Sequence, residues 1–285
     1  MARLLLAAVL AVEVGLGVLA VPAGVGAAPQ GPLGPLNLDK PLNLTADEVT
    51  VDDTGTGLVA RGHVVVTYGP DRATADLLRL NRAARTAELT GRVQITDPKA
   101  RASGNTVLLY LTAGNQVTRV VTTGNASFES PEYSLAADRI DADRTTDRLA
   151  ATGHVNAFAA PDMIVTGERA TYDQRRKYGV VTGHPVASNK AGRLRGNWFE
   201  LFRGANRAVV HGPVQAEVYG ATITGAGATI DFTKSAAVFT GRVVVERRQG
   251  TLWADRVTIY YDTRRIMAEG ATHAKFNDLG EDTTP

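Results

Sequence analysis

The sequence predicts an all-β protein: a bent antiparallel β-roll, of the jellyroll or β-taco solenoid type, built from eight strand-turn-strand repeats of roughly 29 residues. Three observations carry this. Eight glycines recur in near-constant register, a small residue tracks them from upstream, and apolar residues alternate with polar ones in between.

The glycines are Gly62, Gly91, Gly124, Gly153, Gly183, Gly212, Gly241 and Gly270, with successive gaps of 29, 33, 29, 30, 29, 29 and 29. Ala46, Ala75, Ala137, Gly167, Gly196, Gly225 and Ala254 each lie 16 residues before one of them. The third unit has Gly104 instead, 20 residues before Gly124, and its extra residues fall near the turn at Ala113-Gly114-Asn115. After the small residue comes a polar one in seven of eight cases (Asp47, Asp76, Asn105, Asp138, Glu168, Asn197, Asp255), Ala226 being the exception.

Positions three and five after the small residue are apolar or small: Val49/Val51, Leu78/Leu80, Val107/Leu109, Ile140/Ala142, Ala170/Tyr172, Phe199/Leu201, Ala228/Ile230 and Val257/Ile259. The residue between each pair is mostly polar, so each segment reads as a half-buried strand of period two. A polar turn follows, such as Asp52-Asp53-Thr54-Gly55, and a return strand runs through the marker glycine and beyond it. A two-stranded hairpin cannot bury its own apolar face in water, whereas stacked hairpins merge their faces. A glycine inside a strand marks a bend or bulge. Bends aligned from strand to strand fold the sheet along a line into a V-shaped or flattened-roll section, on the order of 75 Å long at ~4.8 Å per strand. No substantial helix is expected after residue 44.

The inner positions Val49, Val51, Leu78, Leu80, Val107, Leu109, Ile140, Tyr172, Phe199, Leu201, Ile230, Val257 and Ile259 are the candidate lining of an apolar trough. The competing reading is a packed core with no room for a ligand.

Four segments are expected. Residues 1–28 read as a signal peptide: Arg3, an apolar run from Leu4 to Val12, and small residues up to Ala28. The 25 residues from Leu4 to Ala28 are also long enough to anchor in a bilayer. Glu13 opposes that, since a carboxylate at mid-bilayer costs about 2.5–3.5 kcal/mol. Residues 29–44 form a proline-rich extended lead-in, 45–276 the roll and 277–285 a polar tail.

Composition excludes several classes. There is no cysteine, hence no disulfide, Cys-ligated metal or lipoprotein acylation site. A net charge of +2 is too weak for an electrostatic nucleic-acid binder. His63, His154 and His184 follow marker glycines and read as solvated corner residues. No metal site, cofactor or catalytic residue is assigned, and no P-loop, dinucleotide or nucleophile-elbow motif is found. The recurring Asp or Asn reads as a turn or strand-edge residue. Arg175-Arg176-Lys177 and Arg193 with Arg195 read as solvated turns, with lipid phosphate as the sharper alternative.

LTADEVTVDDTGTGLVARGHVVVTY (residues 44–68) and LWADRVTIYYDTRRIMAEGATHAKF (residues 252–276) resemble the OstA/LptA repeat of lipopolysaccharide-transport proteins. The shared elements are Ala-Asp, alternating apolar residues, a turn, and a Gly-x-Val continuation. The units around Pro185 and Pro213 are looser. The resemblance implies a periplasmic conduit that carries lipopolysaccharide or a related glycolipid, acyl chains inside the roll. It also implies partners of the LptC-like and LptD-like kind, joined by edge-strand pairing, with head-to-tail self-association as a further possibility. The alternatives are a structural envelope solenoid with a closed core, or a membrane-anchored LptC-like component if the N-terminal segment is retained.

Overall fold

The computed structural model describes residues 43–277, apart from 69, 97, 99, 114–115, 132 and 160–161. The expected signal peptide, nearly all of the lead-in and the tail beyond Asn277 lie outside the described residues.

The described chain is one antiparallel β-sheet of 20 strands. A single turn of 3-10 helix, Arg203–Ala205, interrupts it. At one edge β1 (Asn43–Thr45) and β2 (Glu48–Val51) both pair with β3 (Gly57–Tyr68). The sheet then continues as a meander: β4 (Asp71–Asn81), β5 (Thr86–Thr96), β6 (Arg101–Leu111), β7 (Val117–Glu129), β8 (Tyr133–Asp143), β9 (Arg148–Ala159) and β10 (Met163–Asp173). Next, β11 (Tyr178–Thr182) and β12 (Val186–Asn189) both pair with β10, as two halves of one strand. They are separated at Gly183-His184-Pro185, where proline lacks an N–H for the ladder. Likewise β13 (Gly192–Arg195) and β14 (Trp198–Phe202) both pair with β15 (Arg207–Val218). The sheet ends with β16 (Ala221–Asp231), β17 (Ala236–Arg247) and β18 (Gly250–Tyr260), the last carrying both β19 (Arg265–Glu269) and β20 (His273–Phe276).

The bend has a definite construction. Opposite Asp76 on β4, β3 inserts two residues, Gly62 and His63, both with left-handed φ (+73° and +46°). The same double left-handed step occurs at Gly91-Arg92, Gly124-Asn125, Gly153-His154, Gly183-His184 and Gly241-Arg242. Each is a β-bulge that kinks the strand, except Gly183-His184, which lies in the break between β11 and β12. Gly153 shows why the first residue is glycine: φ is +77°, and an added Cβ would sit 2.0 Å from Asp138 Oδ2. The acidic residue folds over the glycine to meet the residue after it. His63 Nδ1 lies 2.8 Å from Asp47 Oδ2, Arg92 Nη2 donates to Asp76 Oδ1 at 2.7 Å, and His154 Nδ1 lies 3.0 Å from Asp138 Oδ2. The recurring acid and the corner histidine or arginine, 16 residues apart in sequence, are thus one exposed polar pair.

Bending brings the two arms of each strand face to face. The meander places its turns alternately on two rims, for example 174–177, 232–235 and 261–264 on one and 190–191, 219–220 and 248–249 on the other. Between the arms the buried apolar side chains form two clusters. The first holds Ala60, Val64, Ala75, Leu78, Leu89, Val93 and Val107. The second is larger, runs from Ala126 to Tyr261, and adds Met163, Tyr172, Phe232, Phe239 and Tyr261 to the aliphatics. Thr122, buried, stands in register between Val107 of the first and Ile140 of the second.

Candidate apolar trough

Alternation on either side of the corner decides what faces inward. On β16, Ala221 and Ile223 of one arm and Ala228 and Ile230 of the other are buried, and the bulge between them resets the phase so that both arms present their apolar set to the same interior. Burial of these apolar surfaces is the main favourable term, at roughly 25 cal/mol per Å².

Of the thirteen positions named from sequence, Leu78, Val107, Ile140, Tyr172, Leu201, Ile230, Val257 and Ile259 are buried. Leu80, Leu109 and Phe199 are half-buried. Val49 and Val51 differ: they are 48% and 56% exposed. They lie on the edge strand β2, which has a neighbour on one side only, so the period-two pattern is present without the cover that buries it elsewhere.

The named positions do not form one lining. Leu78 and Val107 belong to the first cluster, while Ile140, Tyr172, Leu201, Ile230, Val257 and Ile259 belong to the second. Four of them border open space. One cavity, of about 50 Å³, is bordered by Phe199, Leu201 and Ile230 together with Val165, Val181, Val210 and Phe232. A second, of about 100 Å³, is bordered by Ile230 and Ile259 together with Met163, Leu194, Phe239 and Tyr261. Ala187, Leu194 and Ile230 border both, which makes the two a near-continuous apolar space between the arms. A third, of about 240 Å³, opens at the rims between Tyr219, Arg247 and Arg264.

Sequence reasoning missed Met163, Phe232 and Tyr261. Phe232 and Tyr261 stand seven residues after Gly225 and Ala254, one alternation step beyond the positions that were counted. Met163 stands four before Gly167. Extending the same period forward would have found Phe232 and Tyr261, whereas Met163 shares its phase with Val165 on the other side of the bulge, where the alternation is shifted by one.

The charged residues that border these cavities are Glu200 at the first, Arg193 at the second, and Arg247 and Arg264 at the third. Burial pushes the phenols of Tyr172 and Tyr261 up to about 12, which keeps both neutral. Glu200, between Phe199 and Leu201, is engaged by polar partners: Tyr178 Oη donates to it at 2.5 Å, and His211 Nε2 lies 2.5 Å from its other oxygen. The Tyr178 hydrogen bond, then the His211 contact, hold its carboxyl below the usual range. The His211 ring stacks on Trp198 at 4.5 Å. Of the basic clusters, Arg175 pairs with Asp147 of the neighbouring turn at 2.6 Å and Arg176 with Asp173 of its own hairpin at 3.9 Å, so both guanidiniums are committed. Arg193 borders the second cavity.

Comparison with known proteins gives the family. A family model described as LptA/(LptD N-terminal domain) LPS transport protein matches residues 43–206 and 222–282. Among solved structures the chain is similar to LptH, the LptA homologous periplasmic component of the conserved lipopolysaccharide transport device from Pseudomonas aeruginosa. That similarity is 19% in identity, with a TM-score of 0.30, over 52% of this chain and 85% of the other. Comparison with curated proteins gives no match. With the family model covering well over half of the sequence, the chain belongs to the LptA/LptD N-terminal domain family of LPS transport proteins.

Proposed function

We propose that this chain is a periplasmic lipid conduit, which carries lipopolysaccharide or a related envelope glycolipid toward the outer membrane with its acyl chains between the arms of the roll. Family membership supports the system, and one structural observation carries the site: the adjoining apolar cavities around Ala187, Leu194 and Ile230. A monomeric protein with no apolar cargo has no use for unfilled apolar space, which weakens packing.

The edges fit a bridge. β2 at one end and β20 at the other are exposed along their whole length, and Phe276 is 71% exposed. Open strand edges associate by strand addition. In this reading LptC-like and LptD-like proteins, or a second copy, take those edges.

The structural solenoid with a closed core is favoured by one observation: cavities of about 50 and 100 Å³ hold only part of an acyl chain, so transport requires the arms to part. Site-specific photo-crosslinking in the native host separates the two. A crosslinker replacing Leu201 captures glycolipid, and one replacing Thr171, exposed between the buried Ala170 and Tyr172 and bordering none of the cavities, does not. A folded, exported protein that captures lipid at neither place is a structural solenoid.

A further inference from the structure

Near β15–β19 the slot between the rims is spanned by side chains. Tyr219, in the turn after β15, reaches the opposite rim, where its hydroxyl donates to the Tyr261 carbonyl at 3.4 Å. The guanidinium of Arg264, on that opposite rim, lies 5.3 Å from the Tyr219 ring centroid. Under this bridge lies the cavity of about 240 Å³, floored by Ile223 and Ile259, which are 0% and 4% exposed. It shares Val218, Tyr219 and Ile259 with the neighbouring apolar cavity.

The second guanidinium comes from a wall. Val243 and Val245 are buried on the inner line of β17, and Arg247 is the next residue on that line. A cation thus ends a row of apolar positions just where the row reaches the rim. Neither Arg247 nor Arg264 has a carboxylate within salt-bridge distance among the described residues. Arg92, Arg119, Arg148 and Arg175 are each paired with an aspartate. Two uncompensated guanidiniums at the mouth of a cavity floored by isoleucines complement a molecule with an anionic head and a hydrocarbon chain.

We propose that this opening is a binding site for an anionic amphiphile of the alkyl phosphate type. Arg247 and Arg264 hold the head group, the chain enters over Ile223 and Ile259, and Tyr219 is the latch that chain entry displaces. This rests on the conduit reading and adds to it a head-group contact, a place along the roll and a lateral route through the slot. An apolar cavity of about 150 Å³ accepts benzene. The present space therefore takes the first part of a chain, and a longer one follows when Tyr219 swings away.

The test is calorimetric titration of the purified full chain with three probes below their micellar concentrations: dodecyl phosphate, dodecyl maltoside and inorganic phosphate. Dodecyl phosphate binds, and the double variant Arg247→Gln/Arg264→Gln weakens it about tenfold, as expected for two charge-assisted contacts at a partly exposed rim. Dodecyl maltoside binding changes less than about twofold, and Arg247→Lys/Arg264→Lys retains most of the dodecyl phosphate affinity. In rapid-mixing measurements with the same probes, Tyr219→Ala speeds association of both amphiphiles severalfold, and an unchanged rate overturns the latch. Equal dodecyl phosphate affinity in wild type and double glutamine variant overturns the head-group assignment. Inorganic phosphate binding as tightly as dodecyl phosphate makes it a free-anion site and overturns the amphiphile. If no amphiphile binds, the proposal fails here, while crosslinking at Leu201 still judges the conduit separately.

Discussion

The first and second apolar clusters are built on the same bent sheet and differ in what fills them. The first, around Ala60, Leu78, Leu89 and Val107, consists of Ala, Val and Leu. The second mixes small residues such as Ala187 and Ala216 with Met163, Phe232, Phe239 and Tyr261, and its wall includes the split strands β11/β12 and β13/β14. The three cavities described above all lie there. Large rings set against alanines leave gaps that short side chains cannot reach. The bend therefore makes a roll, and the residue sizes along it decide whether the roll is filled. Between the clusters the inner line carries Thr122, while Arg119 clamps Asp141 with two hydrogen bonds of 2.8 and 2.6 Å.

The largest effect tests whether the clusters are separate. Val107→Asp and Val257→Asp each place an unpaired carboxylate where almost nothing is exposed, and each should cost at least about 3 kcal/mol. Hydrogen exchange should then show β3–β6 opening in the first variant and β16–β18 in the second, each leaving the other stretch protected. Uniform loss of protection in both variants would mean that one core runs throughout, and the comparison would be broken.

Filling the space sharpens the comparison. Ala60→Leu forces a larger side chain into the closed cluster and should lose about 1–3 kcal/mol by denaturant unfolding. Ala187→Leu places the same atoms beside two cavities and should stay within about 1 kcal/mol of the parent, or exceed it. Equal losses at the two sites would show that the later stretch has no usable room.

The corner is common to both stretches, so its loss should not distinguish them. Gly91→Ala and Gly153→Ala each put a Cβ on left-handed backbone and against an aspartate side chain, and each should cost about 1–3 kcal/mol. Gly204→Ala, where an added Cβ meets nothing within 4 Å, is the control and should change stability little.

The smallest effect concerns the clamp at the junction. The Arg119 hydrogen bonds hold the Asp141 carboxyl below its ordinary value of 3.8. A depressed carboxylate contributes stability that is complete above the unfolded value and fades as pH falls through the folded one. Asp141→Asn should therefore lose about 1 kcal/mol near neutral pH, and the gap to wild type should close below pH ~3.8. A gap that persists in full at pH 2 would assign the effect to packing.

Much of this was legible in the chain because the physics was local. The inward positions Leu78 and Ile230 follow from a period of two, and the kink from a glycine in fixed register. Edge exposure of Val49 and Val51 was not legible, since the pattern records which face a residue is on and not whether a neighbouring strand covers it. The corner pair of Asp138 with His154 was visible only as two separate columns 16 residues apart. Arg175 read as solvated, and its partner Asp147 sits on the neighbouring turn of the same rim. The Tyr219 bridge depends on how far the arms open, a distance that no spacing in the sequence encodes.

Every full strand, taking β11 with β12 and β13 with β14 as halves of one, pairs only with the strand before it and the strand after it. Among the described residues, no strand waits for a partner from far along the chain. A polypeptide that emerges N-terminus first can therefore lay each strand on a template already in place, with the loop-closure entropy of a single hairpin at each step. The Ala60–Val107 core is complete before β8 has appeared. Growth by accretion keeps the exposed apolar surface to one advancing edge, which among the described residues has reached β20.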